Sequence, residues 1–252
     1  MFDLIKTQLL GLYLENPCKY SPYPLWNLYK VYENCEANII NEDQTPKQII
    51  LKRKDRVDYY WNRFGKIQNE EFTDCNEIMI NESDLNEELL RQFNINKILY
   101  RLILKNKLPK PTVDHQFQFK TIRIKQDKEA IINILKSMGF LDDQLLIWMN
   151  SPVYHENTWI IMINPTNNYP IGLGIADYDS KINEGIIKYI EVLPKYKNKN
   201  LESYIINELI NRLQTRSEFI TVTLFDQSSV GAYLSCGFTG EEKWYQLKRR
   251  DR

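Results

Sequence analysis

At 252 residues the chain is long enough for one large or two small domains, and its 33 basic and 33 acidic side chains leave no net charge. That balance excludes a global electrostatic footprint for nucleic acid, and no apolar run approaches the length of a membrane helix. The start, Met1-Phe2-Asp3-Leu4-Ile5-Lys6, lacks the charged-then-apolar layout of a secretory signal, so cytoplasm is the expected location. Cys18, Cys35, Cys75 and Cys236 are widely spaced, and only His115 and His155 could join them. Buried free thiols are expected rather than a metal site.

In chain order, Leu4 to Leu14 carries a helical stripe and Pro24 to Tyr32 a second one, rich in aromatics. Gln48 to Lys52 and Asp58 to Trp61 read as strands around the charged turn Arg53-Lys54-Asp55-Arg56, a solvated hairpin tip. Glu77 to Ile80 follows as a strand, Ser83 to Phe93 as a helix and Ile98 to Leu104 as a strand. Tyr20, Tyr23, Trp26, Tyr29, Tyr59, Tyr60 and Trp61 are expected to pack a core, with an acceptor pocket as the alternative. Lys105 to Thr112, with two prolines and a run of charge, reads as a linker, dividing the chain into domains 1–112 and 113–252.

Beyond the linker, Phe117 to Ile124 alternates as a strand, and Asp127 to Met138 and Leu141 to Met149 read as helices. Thr158 to Ile163 and Pro170 to Ala176 form two strands joined by the turn Asn164-Pro165-Thr166-Asn167-Asn168. His155, beside Glu156, is a loop histidine that titrates near neutrality if its surroundings leave it unperturbed. The β-branched run Glu184 to Val192 is a strand that Pro194 ends by removing a backbone donor. Leu201, Ile205, Leu209 and Leu213 then recur at helical spacing. A helix opened this way presents unpaired N–H groups and a partial positive charge to phosphate oxygens, and Lys197 and Lys199 add charge there. Phe219 to Leu224 is a strand, Ser228 to Cys236 a short helix ended by Gly237, and Phe238 to Leu247 a closing hairpin or strand.

Two stretches, Val192 to Glu202 and Asp226 to Phe238, together resemble the GNAT superfamily of N-acetyltransferases. In that family the loop reads Arg/Gln-x-x-Gly-x-Gly/Ala; Lys197 falls at its first position, Asn200 at the first glycine and Glu202 at the second. Both glycines are absent, and Asn198 and Asn200 are the residues able to make the left-handed turn instead. The later helix matches Asn-x-x-Ala-x-x-x-Tyr-x-x-x-Gly-Phe through Asp226, Ser229, Tyr233, Gly237 and Phe238. Gly172-x-Gly174 with Ala176 matches the strand that precedes the central one, and the resemblance covers about residues 116–250.

The resemblance implies an α+β fold with a mixed, mostly antiparallel sheet flanked by helices. The α+β N-terminal domain before it is compatible with a degenerate copy of the same fold. It also implies an acetyl-CoA-dependent N-acetyltransferase acting by direct attack of an amine, from a small molecule or a peptide. Ile190, Glu191 and Val192 would pair with the pantetheine arm, and Lys197, Asn198, Lys199, Asn200, Leu201 and Glu202, with Asp226 and Ser229, would hold the cofactor. Tyr233 would be the general acid, with Glu184 or Glu191 as general base. No metal, nucleic acid or membrane partner is expected; a homodimer is allowed. Two other readings stay open, a non-catalytic acyl-CoA-binding scaffold and an aminoacyl-tRNA-dependent transferase with tandem GNAT-like domains.

Overall fold

The structure, a computed structural model, describes residues 3–42, 45–63, 72–105, 117–123, 127, 129, 131–132, 136, 143–197 and 199–250, with backbone alone for 143–145. In chain order its elements are α1 (Leu4–Glu15), α2 (Pro17–Tyr20), α3 (Leu25–Glu33), β1 (Glu36–Glu42), β2 (Thr45–Arg53), β3 (Arg56–Asn62), β4 (Glu77–Asn81), α4 (Glu87–Gln92) and β5 (Phe93–Leu104). There follow β6 (Gln118–Thr121), α5 (Asp143–Met149), β7 (Trp159–Ile163), β8 (Pro170–Asp179), β9 (Glu184–Val192), α6 (Leu201–Leu213), β10 (Phe219–Leu224), α7 (Val230–Ser235) and β11 (Thr239–Arg249). Most of the linker and of the helix expected over 127–138 lies outside the described residues. No helix among the described residues is long and apolar enough to cross a membrane.

The chain divides into two compact units, one of Met1–Leu102, Thr223–Ser228 and Gly240–Arg252, the other of Ile103–Val222 and Ser229–Thr239. The first unit orders its strands β1-β2-β3-β4-β11-β5. The closing strand, expected within domain 113–252, therefore lies almost wholly in the first unit, where Trp244 pairs with Asn81 and Leu247 with Ile78. Alternation along β2, β3 and β4 feeds two cores. Ile49, Leu51, Tyr59, Trp61 and Met79 join Leu9, Leu28 and Trp244 on one face, and Ile50, Tyr60, Ile78 and Ile80 join Phe72, Leu89 and Phe93 on the other. The aromatic-rich segments thus build core: Tyr59 stacks on Trp244 and donates to Tyr20 O at 2.7 Å.

Three expectations need correction here. The helix expected over Ser83 to Phe93 shrinks to α4, because the Asn86 side chain accepts from Leu89 N at 2.9 Å and starts the helix there. Phe93 is buried and opens β5, which begins well before Ile98. The expected helix from Ser228 to Cys236 is a 3-10 turn, Gln227–Ser229, followed by α7. Strand β1 carried no hydrophobic alternation to announce it, since six of its seven residues are exposed.

Asp84, just after β4, is 3% exposed, and its Oδ1 has no hydrogen-bond partner among the described residues. Burial pushes its carboxyl up to about 7. The folded state then holds a proton that the unfolded chain releases near pH 4, so stability is lost as pH rises from about 4 to about 7. Asp84→Asn is expected to remove that slope, worth at most about 4 kcal/mol at 1.36 kcal/mol per pKa unit. Chemical denaturation at pH 5 and pH 8 checks this, and parallel profiles for both proteins would refute it.

The second unit orders its strands β10-β9-β8-β7-β6. Helix α6 buries Leu201, Ile205, Ile206, Leu209, Ile210 and Leu213, and it sits close on β8 because Gly172 and Gly174 carry no Cβ. A Cβ at Gly174 would lie 2.5 Å from Ile205 Cγ2 and 3.0 Å from Ile160 Cγ1. Gly174→Ala should therefore cost about 1–3 kcal/mol through overpacking and lower the melting temperature by several degrees. An unchanged thermal melt would contradict this packing.

Each unit contains the same strand device. In the second, Ile175 pairs with Tyr189 and Ala176 with Ile187, so Lys188 is an extra residue bulged from β9. In the first, Leu51 pairs with Tyr59 and Lys52 with Val57, so Asp58 is bulged from β3. In both, the parallel register with the next strand ends on the residue before the bulge, at Val57↔Ile78 and Ile187↔Val222. The bulged side chain is an ion-pair member each time: Asp58 with Arg53 and Arg56, Lys188 with Asp177.

Candidate functional site

Strand β9 is where the second unit opens. Its parallel register with β10 runs from Glu184↔Phe219 to Ile187↔Val222, whereas β8 stays paired with it as far as Val192. Ile190–Val192 are therefore paired with β8 along one edge and, among the described residues, have no register partner on β10 along the other, an arrangement that an extended ligand can join as an added strand. Lys188 to Glu191 are half-buried, while the equivalent residues of β3, Tyr59 to Trp61, are sealed in aromatic core.

Beyond β9, Leu193 N bonds to Ile171 O at 2.9 Å, and a 3-10 turn at Pro194–Tyr196 leads towards α6. Asn200 precedes the helix with φ 56° and ψ 29°, the left-handed conformation that a glycine would otherwise supply. The Asn200 side chain makes no cap bond to the first turn, and Ser203 Oγ donates to Asn200 Oδ1 at 3.2 Å. Leu201 is buried as the helix's anchor, with Glu202 beside it in the first turn. Lys199 lies over the Tyr196 ring, 5.7 Å from its centroid. Asn198 lies outside the described residues.

Lys197 Nζ bonds Glu191 Oε1 at 2.8 Å, and Tyr189 OH donates to Glu191 Oε2 at 3.4 Å. The Glu191 carboxylate raises the Lys197 ammonium above its ordinary pKa, with Glu202 adding in the same direction. Burial is the main cause that raises the Tyr189 phenol, whose ring lies 5.4 Å from that of Trp148. Ile190 and Val192 pair with Gly174 and Gly172, so the open edge, the glycine-bearing strand and the start of α6 converge.

Glu184 is placed apart from this group. It sits at the closed end of β9, fully buried, and accepts from Thr221 Oγ1 at 2.5 Å. Tyr233 is buried on α7, edge-on to Phe238 at 5.4 Å, and burial raises its pKa well above the ordinary phenol value. Cys236 Sγ approaches Ser203 O at 3.8 Å, which brings α7 to the first turn of α6. Ser229 is the residue before α7 and makes no side-chain cap bond. Asp226 is exposed, belongs to the first compact unit, and accepts from Ser228 N and Oγ, bonds that lower its pKa.

The sequence offered no signal for two further contacts, Lys188 with Asp177 and Arg216 with His155. Asp177 is fully buried with Lys188 Nζ 2.5 Å from its Oδ2, an ion pair formed by the bulge. Burial raises the Asp177 pKa, and Lys188 opposes that rise. His155 is held below its usual pKa by burial and by Arg216, whose NH1 lies 2.6 Å from Nε2.

Solved structures superpose on nearly the whole chain. A GCN5-related N-acetyltransferase from Sphaerobacter thermophilus superposes with TM-score 0.67 at 11% identity, covering 93% of this chain and 90% of that one. A GNAT-family acetyltransferase from Colwellia psychrerythraea gives TM-score 0.66 at 11% identity over 99% and 98% of the two chains. The chain has the GNAT fold. The GNAT likeness reaches well beyond residues 116–250, since these superpositions cover 93% and 99% of the chain. A tandem GNAT protein from the clavulanic acid biosynthesis pathway superposes with TM-score 0.52 at 9% identity over 97% of this chain and 93% of that one. No family model and no curated protein matches the sequence.

Proposed function

We propose that this chain is an acetyl-CoA-dependent N-acetyltransferase whose one cosubstrate site lies in the second unit. The observation that carries the reading is the edge of Ile190–Val192, paired with β8 but not in register with β10, next to a helix start that the Asn200 side chain does not cap. The fit is favourable on two counts. The Asn200 side chain does not cap the first turn of α6, which leaves its N–H groups to phosphate oxygens, and Asn200 makes the turn that the missing glycine would make. Lys197 and Lys199 supply positive charge, which offsets Glu202.

In this reading the acyl thioester supplies the acetyl group, and the chain's residues orient it and move protons. The backbone of Ile190 to Val192 binds the pantetheine arm as a strand would. The acceptor amine attacks the thioester carbonyl, the C–S bond breaks, Glu191 accepts the amine's proton and Tyr233 donates one to the departing sulfur. Glu191 rather than Glu184 takes the base role, because Glu184 is buried at the closed end and engaged by Thr221. The first unit is read as a copy whose corresponding strand is filled by Tyr59, Tyr60 and Trp61, leaving one cosubstrate per chain. The acceptor is an amine of a small molecule or peptide.

Calorimetric titration of the full chain with acetyl-CoA tests the reading. Binding of one molecule per chain, weakened roughly tenfold by Lys197→Ala, is the expected result. Absence of binding at millimolar cosubstrate would contradict it and favour a scaffold that kept the fold alone.

A further inference from the structure

Resting on that reading of the site, we propose that the Lys197–Glu191 ion pair is a latch opened by the cosubstrate's phosphates, so that the base becomes available only when the thioester is in place. Among the described residues Lys197 is the cation that pairs with Glu191, and it projects from the loop that leads into α6. The bond therefore ties that loop to the open half of β9.

The pair is poised for exchange. Side-chain exposure is 50% for Lys197 and 22% for Glu191, so water screens the bond and it is weakly held. A pyrophosphate carries more charge than one carboxylate and would gather the α6 N–H groups as well, which gives it the advantage in competing for the ammonium. When Lys197 turns to the phosphates, Glu191 keeps, among the described residues, the long bond from Tyr189 OH, and Oε1 is left to an incoming amine. The charged and titratable groups facing this exchange are Tyr189 on the same strand, Lys197 on the loop and Glu202 in the first turn of α6. Trp148 of α5 faces Tyr189 and carries no charge.

The consequence is opposite to that of an ordinary contact residue. Glu191 competes with the ligand for Lys197, so removing its charge should improve binding. With coenzyme A as the probe, calorimetry on the full chain is expected to show Glu191→Gln binding about three to ten times more tightly than wild type. Lys197→Gln should bind more weakly, and adding Glu191→Gln to it should change nothing further, since the competitor then has nothing to hold. Lys197→Met, checked by thermal melt, serves as a second variant if the glutamine version folds poorly. Weaker binding by Glu191→Gln, or the same gain with and without Lys197, would overturn the latch while leaving the cosubstrate site intact. Failure of wild type and Glu191→Gln alike to bind coenzyme A would instead remove the acetyltransferase reading and the latch with it.

Discussion

Lys188→Ala is expected to destabilise the second unit by about 3–5 kcal/mol, because it leaves the fully buried Asp177 carboxylate without its cation. The loss should depend on pH. Burial already raises the Asp177 pKa and Lys188 holds it back, so without the lysine the folded state prefers the protonated acid still more. The variant's deficit therefore grows as pH rises past the folded wild-type Asp177 pKa, itself raised by burial, and shrinks in acid. Asp177→Asn combined with Lys188→Met should recover most of the stability, since neither residue then buries a charge. Urea denaturation of the single and double variants at pH 5 and pH 8 measures both effects. A loss under 1 kcal/mol, or a double variant no better than the single, would show that the pair does not hold the bulge in place.

Tyr233→Phe is expected to lower kcat by about 10²–10⁴-fold while leaving acetyl-CoA affinity within a factor of about two. The hydroxyl's burial keeps the phenol protonated across the neutral range, the state a proton donor needs before the thiolate departs. Phenylalanine preserves the edge-on contact with Phe238, so packing should survive and the thermal melt should move little. Steady-state kinetics with an amine acceptor, paired with calorimetry, separates the two roles. Equal turnover by the two proteins would assign Tyr233 to packing and pass proton donation to water.

Much of the second unit was legible because local chemistry and global fold agree there. Strand β9, helix α6 and strand β10 begin and end where a β-branched run, Pro194 and a helical apolar stripe say they should. Asn200 was readable as a glycine substitute because asparagine tolerates the left-handed region it occupies. What stayed hidden is non-local. Strand β11 joins the first unit through β4, a partner more than 160 residues away that no periodicity announces. The bulge at Lys188 and its twin at Asp58 are register shifts between strands, invisible to a pattern of alternation read along one strand. Where β10 stops pairing, which puts Glu184 at the closed end of β9 and Glu191 beyond it, is likewise not readable along one strand.

Amide hydrogen exchange of the full chain with and without acetyl-CoA tests most directly whether the open edge of β9 is the cosubstrate site. Slowed exchange in the peptides covering Lys188–Val192 and the first turn of α6, with β3 unchanged, is the expected result. Protection confined to the first unit, or no change in β9 at saturating ligand, would contradict it.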